Sequence, residues 1–285
     1  MRGRGHAYGA VSIVNAISTG RGAALGIDLV TKAEVKLDHS SLGVRLLNRG
    51  RDPSLAREVV KAVTTALGME EVGAEVRTES NIPEAVGLKS SSSAAVAIAL
   101  ATLDALGTDM QDTQLLRLVA EASLSSGTSI TGALDDASAC MLGGFTVTDN
   151  TGMKLLKREE AGENLRVAVL IPPRKTYTSE FRREDLNPIS ELVSEAFNLA
   201  LKGEYWKAMT LNGLLHAAAL SIDTKPIIEA LRRGALAAGV SGTGPAVAAV
   251  TTADRVDDVR DVLAEYDGYV ITSSVNNRRG GFGWP

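Results

Sequence analysis

Ile82-Pro83-Glu84-Ala85-Val86-Gly87-Leu88-Lys89-Ser90-Ser91-Ser92-Ser93-Ala94-Ala95 joins a flexible loop to a strong helix former, and the reading of the chain turns on it. Such a junction leaves unpaired backbone N–H groups at a helix N-terminus, where the macrodipole favours an anion. Lys89 adds a cation, and the four serines offer hydroxyls to phosphate or to a magnesium ion. A single serine would read as a helix cap. Four of them, with Gly87 and Lys89, read as a phosphate loop. It is not a Walker A loop, because no Gly-Lys-Ser/Thr follows a glycine at that spacing.

Outward from this loop the pattern is mixed α+β. Before it, strands are expected at Ala10–Ile17, Ala23–Leu37 and Val44–Leu47, a helix at Leu55–Leu67 and a half-buried strand at Val72–Thr78. After it come helices at Ser91–Leu106, Asp112–Ser125 and Ala133–Met141, the last closed by Gly143-Gly144. A hairpin, Phe145–Asp149 with Met153–Lys157, turns at Asn150-Thr151-Gly152. The strand Val167–Ile171 leads through a charged loop to helices near Ile189–Leu201, Tyr205–Leu220 and Pro226–Ala238. The chain closes as glycine loop, strand Ala246–Thr251, helix Val256–Tyr266 and strand Tyr269–Thr272. The Gly- and Arg-rich tail 276–285 is expected to be mobile.

Composition removes several functions. The 285 residues carry 30 Lys plus Arg against 34 Asp plus Glu, a formal charge of −4. With no basic run and 4% aromatics, nucleic acid is not an expected partner. The single Cys140 excludes an internal disulfide, and three histidines make a His-rich metal site a poor expectation. The most apolar stretch, Ala94–Leu106, contains Asp104 and is shorter than a membrane span needs. No signal peptide is visible, so a cytoplasmic chain acting on a small molecule is expected, as a monomer or homodimer.

Pro-x-x-x-Gly-Leu-x-Ser-Ser followed by alanines resembles the ATP-binding motif of the GHMP kinases, with Lys89 where the third residue is usually glycine. Asp136, with Gly143-Gly144 seven and eight residues later, resembles their Asp segment. Ser241-Gly242-Thr243-Gly244-Pro245-Ala246 resembles their C-terminal glycine motif. The Gly-Leu-Lys-Ser-Ser-Ser form and the stretch Val14–Ala24 with Ile27-Asp28-Leu29 resemble the archaeal-type shikimate kinase branch. The resemblance covers nearly all of the chain. It implies two lobes: residues 1–150 like ribosomal protein S5 domain 2 and residues 151–275 ferredoxin-like.

The resemblance also implies a chemistry. ATP and Mg2+ would be used to phosphorylate a small alcohol, with shikimate as the expected acceptor. Homoserine kinase is the alternative activity, and a non-catalytic nucleotide sensor the alternative class. Residues Pro83–Ala95 would bind the nucleotide. Asp136 would orient or deprotonate the acceptor hydroxyl, with Asp135 as the alternative member of the pair, although adjacent carboxylates at a helix start also serve as caps. Magnesium is expected at Ser92 and Glu121; an equally reasonable alignment puts Ser123 in place of Glu121. The acceptor would meet Ser241, Gly242, Thr243 and Gly244, together with Asn15, Arg21 and Asp28. Thr178 and Arg182 have the spacing of a segment that homoserine kinases place near a substrate carboxylate; they equally suit a solvated charged loop. Cys140 and His216 read as packing residues.

Overall fold

A computed structural model describes residues 1–38, 43–48, 50–69, 72–173 and 183–285. A long antiparallel hairpin, β1 (Arg2–Val14) and β2 (Arg21–Asp38), is its spine. On the far edge of β2 lie β4 (Gly73–Ser80) and then β3 (Val44–Leu46), parallel to each other. Further along β2 the hairpin of β5 (Phe145–Asp149) and β6 (Lys154–Glu159) attaches through β5. A boundary at residue 150 would pass through that hairpin.

Four helices belong to this half: α1 (Ser54–Ala66), α2 (Ser90–Leu106), α3 (Asp112–Ser125) and α4 (Leu134–Leu142). Helix α2 is apolar on every side and buried along most of its length, as a central core helix must be. It explains why β1 starts at Arg2 rather than at Ala10, as the sequence pattern suggests. A Cβ on Gly3 would lie 2.1 Å from Ala105 N, and one on Gly5 2.6 Å from Ala101 N. The inward face of this strand is backbone laid against α2, so no apolar alternation announces it.

The second sheet has the order β10-β7-β9-β8, antiparallel throughout: β7 (Leu165–Ile171), β8 (Ala237–Val240), β9 (Val247–Thr252) and β10 (Tyr269–Ser274). Helices α5 (Ser190–Leu201), α6 (Tyr205–Ala219) and α7 (Lys225–Arg232) separate β7 from β8, and α8 (Val256–Leu263) separates β9 from β10. This is the ferredoxin-like order. The helix expected to reach Ala238 stops at Arg232, because Gly234 turns the chain at φ +99° into β8. One apolar cluster joins Val11 and Ile13 of β1 to Val167 and Val169 of β7 and Phe197 of α5, so the two halves share a core.

The tail is not loose. β11 (Gly281–Phe282) pairs with β1 in the register Gly5↔Phe282 and His6↔Gly281. Arg279 grips Asp112 and Arg278 grips Asp28. The pattern of glycine and arginine misled because the tail's partners are backbone and distant carboxylates, neither of which leaves an apolar signature.

Candidate active site

Helix α2 begins without a serine cap. Its N-cap residue is Lys89, held in the left-handed region at φ 66°, ψ 29°, and no side chain caps the helix. The first backbone bond of the helix is from Ser93 N to Lys89 O, at 2.9 Å. The amides of Ser90, Ser91 and Ser92 precede it, in the orphan positions that every helix start leaves. These three serines line a cavity of about 130 Å³ with Gly87, Lys89, Asp135 and Asp136.

The loop ahead of the helix is held by the other half of the molecule. Gly87 sits at φ +94°, and a Cβ there would lie 1.8 Å from Ser241 O. Ser241 Oγ donates to Gly87 O at 2.8 Å and accepts from Ser12 N at 3.0 Å; Ser12 Oγ accepts from Gly242 N at 2.9 Å. Ser241 is therefore fully buried and spent on the loop, while Gly242 and Thr243 line the cavity and Gly244 does not. Val86, Leu88 and Ala95 are buried anchors, Glu84 pairs with Arg51, and Pro83 is half-buried. Glu84, Ala85 and Ala94 line a second cavity of about 270 Å³, walled also by Leu55 and Ile98, which shares Ala85, Ser90 and Ser91 with the first.

Facing α2 is the N-terminus of α4, with Asp135 and Asp136 in its first turn. Lys89 Nζ lies 2.8 Å from Asp136 Oδ1, with 6% and 18% of the two side chains exposed. Burial works against the Lys89 charge, but Asp136 and Asp135 outweigh it and raise the ammonium above its ordinary range. Asp135 Oδ1 accepts from Asn150 Nδ2 at 2.8 Å. Its burial, reinforced by the Asp136 charge, raises its carboxyl to about 7, against opposition from Lys89 and Asn150. Burial likewise pushes the Cys140 thiol well up, and holds His216 down to about 4, so both are neutral packing groups.

The Asp135 shift has a measurable sign. The unfolded chain ionises this carboxyl near its ordinary value of 3.8, whereas the folded chain holds the proton to about 7. Between those values folding takes up a proton, so this group makes stability fall as pH rises. Asp135→Asn should remove a slope of up to about 1.4 kcal/mol per pH unit in that window. Urea unfolding of both proteins at pH 5 and pH 7 reads it; an identical pH dependence in the two would contradict the shift.

Several expected site residues lie elsewhere. Asp28 is exposed and paired with Arg278, outside the cavity. Arg21 is not in the cavity wall: its Nη2 lies 3.3 Å from Ser194 Oγ and its guanidinium stacks 4.9 Å from the Phe197 ring centroid. Asn15 does line the cavity, but its Nδ2 donates to Gly242 O at 2.8 Å and its Oδ1 accepts from Ile17 N at 2.9 Å. Glu121 is exposed and outside the cavity wall, and Ser123 Oγ is bonded back to Val119 O at 2.8 Å. Residues two positions apart on a helix lie on nearly opposite faces, so Glu121 faces solvent while Ser123 is buried. Thr178 and Arg182 lie outside the described residues. The pattern missed the polar loop Thr128–Thr131, whose four residues all line the cavity; its density of hydroxyls was the available signal.

Residues 54–144 match the family model for the GHMP kinases N terminal domain, and residues 179–267 match that for GHMP kinases C terminal. The chain belongs to the GHMP kinases. Among GHMP relatives, the shikimate kinase of Methanothrix thermoacetophila is 44% identical over 278 residues, covering 98% of this chain and 95% of that one. The shikimate kinase of Thermococcus kodakarensis is 44% identical over 277 residues, covering 95% and 99%. The crystal structure of homoserine kinase from Cytophaga hutchinsonii superposes with a TM-score of 0.76 at 19% identity, over 99% of this chain and 97% of that one. The mevalonate kinase of Methanococcus jannaschii gives 0.73 at 18% identity, over 96% and 98%. At those identities the two structures establish the GHMP fold and nothing about the acceptor.

Proposed function

We propose that the chain is a shikimate kinase, which moves the γ-phosphoryl group of ATP to the 3-hydroxyl of shikimate and releases shikimate 3-phosphate and ADP, a step toward chorismate and the aromatic amino acids. One observation carries the reading: the start of α2 and the Asp136–Lys89 pair face each other across a single cavity. An anion cradle and a proton acceptor thereby open onto the same cavity. The choice of acceptor is supported by relatives bearing the name shikimate kinase at 44% identity over almost the full chain.

The amides and hydroxyls of Ser90–Ser92 receive the phosphates at the positive end of α2. The second cavity, apolar at Leu55 and Ile98 and sharing the wall residues Ala85, Ser90 and Ser91 with the first, suits the nucleoside. Asp136 takes the acceptor's proton as the hydroxyl oxygen bonds to the phosphoryl group and the bond to ADP breaks. Lys89 fixes the Asp136 carboxylate and places positive charge beside the transferred group. Ser92 Oγ and the Asp136 carboxylate are hard oxygen donors lining the cavity; Asp136 Oδ1 is already paired with Lys89 Nζ, so a magnesium ion would be held by Ser92 Oγ and the other Asp136 oxygen. When bound, that ion neutralises phosphate charge. Glu121 takes no part.

Among the described residues Lys89 is the one basic side chain in the cavity wall, and it is already paired. We therefore assign the shikimate carboxylate to Arg182, with Thr178 as the second contact that the sequence motif suggests. Arg182→Ala should raise KM for shikimate about tenfold to a hundredfold, as loss of a charge-assisted bond does, and leave KM for ATP unchanged. Arg182→Lys should recover part of it, lacking the planar fork. The deciding experiment is ADP release with shikimate, homoserine and mevalonate at equal concentration. Shikimate turnover is expected. Turnover of homoserine alone would replace the acceptor, and ATP binding without any turnover would make the chain a sensor.

A further inference from the structure

Helix α4 carries both carboxylates at its N-terminus and has only nine residues. Helical rise makes it about 13 Å long, so a small tilt about its far end displaces the carboxylates. What fixes the far end is therefore of catalytic interest. The last carbonyls of a helix have no partners within it. Here they are taken by the tail and by one arginine. Gly280 N donates to Met141 O at 2.7 Å. Arg158 Nη2 donates to Leu142 O at 3.3 Å and to Asn277 O at 2.9 Å, joining helix end to tail.

The tail then threads between α4 and β2. Gly144 N donates to Asn276 O at 2.7 Å, and Asn276 N donates to Gly26 O at 2.9 Å. The approach is so close that a Cβ on Gly143 would lie 2.7 Å from Asn276 O. Gly143-Gly144 is thus a seat for a strap as well as a helix stop. The Asn276 side chain, 2% exposed, shapes the strap locally: Nδ2 donates to Arg278 O at 2.9 Å, and Oδ1 accepts from Arg278 N at 3.1 Å and from Arg278 Nε at 3.2 Å. Asn277 anchors the next step, exchanging two 2.8 Å bonds with the backbone of Ala161.

We propose that residues 276–280 are a positioning strap for α4, with Asn276 as its key residue, setting where Asp136 stands relative to the phosphate loop. The proposal rests on the reading of Asp136 as the proton acceptor. Cys140 completes the geometry from the inside, its Sγ lying 3.9 Å from Lys89 O, so α4 touches the phosphate loop midway and the strap at its end. A displacement of 1 Å at a reacting group costs up to about a hundredfold in rate.

The test compares wild type with a chain ending at Val275 and with full-length Asn276→Ala and Asn276→Asp. In the truncated chain kcat should fall about tenfold to a hundredfold, with ATP affinity unchanged by calorimetry. The synthetic peptide Asn276–Pro285 added in trans should restore kcat. Asn276→Ala should lose part of the rate in the same way, and Asn276→Asp, which keeps the Oδ1 acceptor for Arg278 but not the Nδ2 donor, should recover part of that loss. Amides of α4 should exchange faster with deuterium while those of α2 do not. An unchanged kcat in a folded truncated chain would overturn the proposal. So would a parallel loss of kcat and ATP affinity with faster exchange throughout, which is what a merely structural role produces. If the truncated chain does not fold, the Asn276 pair decides on the same readouts. Exchange is read without acceptor, so wild type failing to phosphorylate shikimate is a separate result, bearing on the proposed function alone.

Discussion

Asp136→Asn lowers kcat by about 10²–10⁴-fold while ATP binds as tightly as before, the loss typical of removing a general base. The substitution keeps the volume and removes the charge. The phosphate cradle is made by the amides and hydroxyls of Ser90–Ser92 on another helix. The Lys89 contact at 2.8 Å becomes a contact to an amide, so the variant also loses the cation's partner. Asp135 stands next to it, but its raised carboxyl is directed to Asn150 and turned against β2, where a Cβ on Gly22 would lie 2.4 Å from its Oδ2. Asp135→Asn should therefore retain far more turnover. Steady-state kinetics with calorimetric ATP affinity checks both variants. If Asp135→Asn is the dead enzyme and Asp136→Asn is not, the roles within the pair are exchanged.

What the chain discloses as text and what it conceals divide along a physical line. The phosphate loop and α4 are legible because their chemistry is local: consecutive hydroxyls before an alanine run, a carboxylate pair in the first turn of a short helix and a double glycine after it. Contacts between distant segments leave no such mark. Arg278 and Asp28 are 250 residues apart, Ser241 and the Gly87 carbonyl 154, and each residue reads separately as a free polar group. That is why Asp28 and Ser241 suggest substrate contacts, whereas the fold pairs Asp28 with Arg278 and bonds Ser241 to Gly87 and Ser12. β1 fails for a different reason. A strand whose inner face is Gly3 and Gly5 carries no apolar period, since what it buries is its own backbone. Glu121 shows the limit of motif transfer: residue type and approximate position suit a metal ligand, but two residues of helical phase send it to solvent.

Lys89→Gly tests whether this lysine is an occupant of a glycine position or a working part of the site. The position is left-handed, which costs a side-chain-bearing residue about 1–2 kcal/mol and glycine nothing. On backbone grounds alone the variant should be more stable. Against that, Lys89 is the cation between two carboxylates, and its own side chain is 6% exposed. Removing one partner of a buried pair costs about 3–5 kcal/mol, because the other charge is left uncompensated. The second effect is larger, so Lys89→Gly should be destabilised by roughly 2 kcal/mol at pH 7.5. Its deficit should shrink toward pH 5, because Lys89 lowers the Asp135 pKa in the wild type; without it the proton is held to higher pH and relieves the repulsion. The double variant Lys89→Gly/Asp135→Asn should regain part of the stability, which a double-mutant cycle by urea unfolding measures directly. Turnover should drop at least ~10-fold in Lys89→Gly, since Asp136 loses the contact that orients it. A variant more stable than wild type at pH 7.5 and equally active would mean that the ion pair is incidental.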